Sequence, residues 1–165
     1  MLPRLAIALV VLAGCSNAPK QHDAAPPKPA EQNTQPQPSN PSAKVLIETP
    51  TGEVAINVDV VATEATIQRG LMFREFMPIA DGMLFLMPEE KVQTFWMHNT
   101  LIPLDMIFIT RDMTIAGIVE KAEPRTDDIR TVGKTSLYVL EVNGGVTAAK
   151  GIKEGAHVRF DGVPR

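Results

Sequence analysis

Cysteine occurs once in this chain, at position 15, and tryptophan once, at position 96, and aromatic residues of all kinds amount to 5%. A lone thiol excludes an internal disulfide framework. Long apolar runs are also missing. The run from Leu5 to Ala13 falls well short of the roughly 20 residues that a helix needs to cross a bilayer core. No cluster of Lys and Arg occurs either. With 16 basic against 19 acidic side chains and a net charge of −3, the chain is not expected to bind nucleic acid or an anionic lipid surface. No internal repeat is visible. From Ser16 to Ala43 there is no aromatic or branched aliphatic residue, so that stretch has nothing to bury.

What is present at the start fits export. Arg4 supplies a small positive region and Leu5 to Ala13 an apolar one, the layout of a secretion signal. The Leu12-Ala13-Gly14-Cys15 stretch resembles the lipobox of bacterial lipoproteins. That resemblance implies a signal peptide over 1–14, acylation of the Cys15 thiol and of the new amino group, and firm anchoring, since two or three acyl chains hold where one does not. Residues 15–43 then form a tether whose seven prolines after Cys15 give it semi-rigid, extended character. Loss of Arg4 with the signal makes the net charge −4. Ser16 after the cysteine favours the outer membrane, facing the periplasm, with the inner membrane or the cell surface as alternatives.

Residues 44–165, about 120 in number, are enough for one domain with its own core. Val54, Ile56, Val58 and Val60 alternate with smaller or polar residues, the period of a half-buried strand. Lys44 to Glu48 precedes them across a turn at Thr51-Gly52. Thr63 is placed to cap a short helix to about Arg69, closed near Gly70. Met83–Met87, Phe95–Met97, Leu104–Thr110, Thr114–Val119, Leu137–Asn143 and Ala156–Phe160 read as short strands. A tight loop is expected at Arg111-Asp112, and one helical turn over Val146–Ile152. The expected fold is mainly β (α+β), a small single-domain β-barrel-like sheet of seven or eight short strands with one or two short helices, monomeric, curling to hide its edges.

The motifs Arg69-Gly70-Leu71-Met72 with Arg74, Asp81-Gly82-Met83-Leu84-Phe85, Phe95-Trp96-Met97-His98-Asn99-Thr100, Ile102-Pro103-Leu104-Asp105-Met106 and Val139-Leu140-Glu141-Val142 before Gly144-Gly145 resemble the bacterial and archaeal domain of unknown function 192 family. The resemblance runs through nearly the whole domain. It implies a compact, largely β domain, often secreted or lipid-anchored, and brings no activity with it. His98 stands where that family usually has lysine.

Asp105 shares a strand face with Ile107 and Ile109, and Glu141 one with Leu137 and Val139. A carboxylate on an apolar face is costly unless paired. Arg69 and Arg74 are the partners by type, able to bind carboxylate bidentately, and on this reading the pairs are structural. A second reading gathers Trp96, His98, Asn99, Thr100, Asp105 and Glu141, with Arg69 and Arg74, around a cleft that binds a small molecule, glycan or peptide. Strand alternation would put Trp96, His98 and Thr100 on one side and Phe95, Met97 and Asn99 on the other, unless the chain bends after Met97. Catalysis competes, in the form of an envelope hydrolase with Asp105 and Glu141 as its acid–base pair, although no nucleophile elbow is present. A structural or interaction protein is a further alternative. Seven methionines between Met72 and Met113 also raise a copper reading, but Met83 and Met87 share a face with Phe85, where core filling would put them. His22, His98 and His157 are too scattered for a zinc site. No cofactor is expected.

Overall fold

The computed structural model describes residues 43–164. The expected signal segment and residues 15–42 of the tether, with Cys15 and His22, lie outside the described residues, while Ala43, placed at the end of the tether, is buried in the core against β2. Seven strands, β1 (Lys44–Thr49), β2 (Gly52–Val61), β3 (Asp81–Val92), β4 (Leu104–Ile109), β5 (Ile115–Ala122), β6 (Thr135–Asn143) and β7 (Val158–Asp161), make one sheet in the order β5-β4-β6-β3-β2-β1-β7. The helices are α1 (Glu64–Arg69) and α2 (Val146–Lys150). Every neighbouring pair is antiparallel except β2 and β3, which α1 and its following loop connect as a parallel crossover. The sheet curls into a half-barrel. The edge strands are stitched at one end: Ile115 N–H donates to the Ala156 carbonyl (3.0 Å) and Val158 N–H to the Met113 carbonyl (2.8 Å). That link covers part of the polar backbone that an open sheet would expose.

The middle of the sheet has a core on each face. Val58, Leu84, Ile107, Ile109, Leu140 and Val142 point to one side, where all seven strands and α2 contribute. Met83, Phe85, Leu104, Met106, Phe108 and Val139 point to the other, beneath Leu71, Met77 and Met97 from the connecting loops. This is why β4 is apolar at nearly every position instead of alternating. Both its faces are covered, and all six of its residues are buried.

Two expectations from the sequence are corrected here. Phe95–Met97 is no strand, because only Phe95 pairs, in an isolated bridge with Arg130, and its apolar side chains plug the second core from a loop. In addition, β3 runs past Met87 to Val92. Its far end, after a register shift, pairs Lys91 and Val92 with Ser136 and Thr135. Those end residues are largely solvent-facing, so no apolar pattern marks them.

Four of the seven methionines, Met77, Met83, Met97 and Met106, are buried in the second core. Met87 packs partly against it, and Met113 against the first. No group of three or more His, Cys, Asp or Glu able to hold a metal occurs among the described residues.

Candidate functional site

The site begins at α1. Thr63 caps the helix reciprocally with Thr66: Thr66 N–H donates to the Thr63 hydroxyl (3.3 Å), and Thr63 N–H donates to the Thr66 hydroxyl (3.1 Å). The helix ends at Gly70, whose φ of +46° lies in the left-handed region. A Cβ there would sit 3.3 Å from the Phe85 ring, so glycine lets the chain pass closely over β3. That tight exit leaves Arg69 and Met72 on the rim of a hollow above Phe85.

The other wall is the 95–100 loop. Met97 N–H donates to the Thr126 carbonyl (3.0 Å), Phe73 N–H to the Asn99 carbonyl (2.9 Å) and Arg125 N–H to the Thr100 carbonyl (3.1 Å), which sews the loop between two others. Phe95 meets Phe85 and Phe108 edge-on, with ring centroids 5.1 and 6.0 Å away. Phe95 and Met97 therefore point into the core, while Trp96 and His98 point away from it. The bend comes at Asn99, with φ +53°. Trp96 is 50% exposed and lies stacked on His98, with centroids 5.0 Å apart. His98 Nδ1 is 2.7 Å from Asp127 Oδ1, which fixes the ring.

Glu141 lies on the inner wall. The strand registers put Asp59, Met83, Glu141, Met106 and Val119 in one row across five strands, so Glu141 has a methionine on each side. It is 4% exposed. No side-chain hydrogen bond or ion pair holds its carboxyl among the described residues, and burial pushes its pKa up to about 8. With Arg69, Met72, Phe85, Trp96 and His98 it lines a cavity of about 200 Å³. That is below the roughly 300–1,000 Å³ of drug-sized sites, so the cavity suits a small molecule or one end of a longer one. Arg69 makes no ion pair among the described residues.

The structure thus brings together Arg69, Trp96, His98, Thr100 and Glu141. It does not bring Asn99, Arg74 or Asp105 to the cavity wall. Arg74 binds Asp59 (2.9 Å), which corrects its expected pairing with Asp105 or Glu141. Asp105 is fully buried on the opposite face of the sheet, because β4 and β6 pair Asp105 with Val142 and Glu141 with Met106. Two carboxyls on opposite faces cannot act on one bond, so the Asp105/Glu141 acid–base pair is overturned. The carboxylate of Asp105 instead accepts from the backbone N–H groups of Lys121 (2.8 Å), Gly145 (2.9 Å) and Thr147 (2.9 Å) and from the Thr147 hydroxyl (2.6 Å). It fastens α2 and the β5 end to β4, with Lys121 held at φ +49°. Sequence reasoning missed Met72, Phe85 and Gln68 as lining and Asp127 as the partner of His98. Gln68 and Asp127 carry no periodic signal, and Phe85 reads as ordinary core.

The family profile for the domain of unknown function 192 (DUF192), described as an uncharacterized ACR, matches residues 45–160. The chain belongs to the DUF192 family. A Sinorhizobium meliloti protein described as a candidate transcription regulator is 33% identical; the match covers 74% of this chain and 95% of that one, with a TM-score of 0.70. A Novosphingobium aromaticivorans protein of unknown function is 36% identical over 70% of this chain and 83% of that one, with a TM-score of 0.68. No match is found among curated proteins. The DUF192 profile spans every element that builds the cavity, from α1 to β6.

Proposed function

We propose that this DUF192 chain is a lipid-anchored protein of the cell envelope whose domain binds a small molecule, or the end of a glycan or peptide, beneath Trp96. The observation that carries the binding reading is a small cavity with a half-exposed indole on its rim and, on its inner wall, a buried carboxyl that has no side-chain partner among the described residues. An indole offers a flat apolar platform, and a few convergent polar groups fix orientation. With one carboxyl in the cavity, hydrolysis by a paired acid and base finds no support. The regulator description of the Sinorhizobium relative is not carried over, since a net charge of −3 and the lack of a basic cluster give DNA no electrostatic footing.

Trp96 is the only tryptophan, so its fluorescence reads the site directly. Titration with monosaccharides, amino acids and short peptides is expected to find a compound that shifts its emission saturably; a flat response across all three classes argues against the binding module. Trp96→Ala is expected to abolish that binding by calorimetry. It should cost the domain only about 1–2 kcal/mol in a denaturant melt, against roughly 3–5 for a fully buried ring. The anchor rests on the lipobox-like Leu12-Ala13-Gly14-Cys15. Cys15→Ser is expected to move the protein from the detergent phase to the aqueous phase on detergent partitioning, and identical partitioning of the two forms defeats the lipoprotein reading.

A further inference from the structure

Resting on that binding reading, we propose that the cavity is an α-amino acid site, seating the ligand's ammonium on Glu141 and its carboxylate toward Arg69. Two groups of opposite sign line one small cavity, and neither has an ion-pair partner among the described residues. They do not pair with each other, so the gap between them suits a ligand that carries both charges. Asp105, the other buried carboxyl, is matched by backbone amides, and the half-buried Arg74 and Glu90 by Asp59 and Arg111. Glu141 is the buried carboxyl that has no side-chain partner among the described residues, and it lines the cavity, where a cation would compensate what burial costs. The Trp96 face and the Met72 and Phe85 side chains supply the polarizable surroundings in which an ammonium is held.

A neutral hydrogen-bonding ligand is the competing occupant, accepting a hydrogen bond from an uncharged Glu141 carboxyl that keeps its proton. The two differ in proton balance. An ammonium ligand binds the carboxylate, so the Glu141 carboxylic acid gives its proton to solvent as the ion pair forms. The charged and titratable groups that line the cavity with Glu141 are Arg69, at the end of α1, and His98, tied to Asp127, in the 95–100 loop. On its own sheet its flanking neighbours are Met83 and Met106, and Asp59 in the same row is bound to Arg74. Because the free carboxyl titrates at about 8, the competent fraction, and with it the apparent affinity, is expected to rise about tenfold per pH unit between pH 6 and 7 and to level off above 8.

The test uses the whole chain with four probes of similar size: L-norvaline, butylamine, valerate and neutral valeramide, followed by calorimetry and Trp96 emission. Norvaline is expected to bind at least tenfold more tightly than valerate or valeramide, releasing about one proton per ligand at pH 7. Glu141→Gln is expected to lose both the binding and its pH slope, and Arg69→Gln to weaken norvaline toward the level of butylamine. Equal binding of valeramide, undiminished norvaline binding by Glu141→Gln, or no norvaline binding overturns the assignment. If norvaline fails while N-acetylglucosamine shifts Trp96 emission, the ammonium site falls and the binding module stands; if neither acts, both fall.

Discussion

Asp105→Ala is expected to bring the domain to the edge of unfolding, with a loss of about 4–6 kcal/mol in a urea melt. The carboxylate satisfies three backbone N–H groups and one hydroxyl, all within 2.6–2.9 Å, and alanine takes their acceptor away, from Thr147 in a buried setting and from Lys121 and Gly145 in a part-buried one. Each orphaned buried donor costs roughly 1–3 kcal/mol, and the four share one site, so the sum falls short of their separate maxima. Set against the roughly 5–15 kcal/mol that a domain has in total, that loss is most of the margin. Asp105→Asn keeps an acceptor oxygen and should lose less. A loss under about 1 kcal/mol for the alanine variant would show that solvent replaces the carboxylate, and Asp105 would no longer be the clasp between β4 and α2.

The second large effect is on pH. Glu141 has a folded pKa of about 8 against an ordinary value of 4.5, so between those values the folded chain holds a proton that the unfolded chain has released. Stability must then fall as pH rises from about 4.5 to 8, and it stays low above that. The shift corresponds to a total on the order of 4–5 kcal/mol, with the steepest loss near 1.4 kcal/mol per pH unit. Glu141→Gln removes the titrating group. Its stability is expected to match the wild type near pH 4.5 and to exceed it increasingly up to pH 8, as followed by chemical denaturation across that range. Parallel pH profiles for the two proteins would mean the carboxyl is solvated and its pKa ordinary.

Much of the fold could be read from local pattern. Thr63 as a cap and the glycine near the end placed α1 close to its observed bounds, since capping is a matter of a few neighbouring residues. Alternation located β2, and apolar runs located β4 and β6. The Phe95–Met97 triplet was misread because an apolar run of three looks the same whether it pairs with a neighbouring strand or plugs a core from a loop. For the site, the oddity of Asp105 and Glu141 on apolar strands was visible at once. Their separation onto opposite faces was not, because it depends on β4 pairing with β6 at one particular register, and a one-residue slip would reverse it. The arginines failed similarly: type and charge suggested partners, but Asp59, brought beside Arg74 by the β2–β3 crossover, was nearer. His98 and Asp127 are 29 positions apart, and nothing local announces that pair.

The pairing of the first strand with the last has a consequence for how the chain reaches its native state. Lys44 lies opposite Asp161, and Ile47 opposite Val158, so β1 has only β2 beside it until Val158–Asp161 has been made. Until then β1 is the open edge of the sheet that the other five strands make, with its outer backbone groups unpaired. The link from Ile115 to Ala156 waits on the same late segment. Closing contacts across such sequence distances is entropically slow, on the order of milliseconds to seconds for sheet-rich domains. A nascent chain that has not yet reached Val158 therefore carries β1 as an exposed edge, and the pairing of β7 is the latch that closes it.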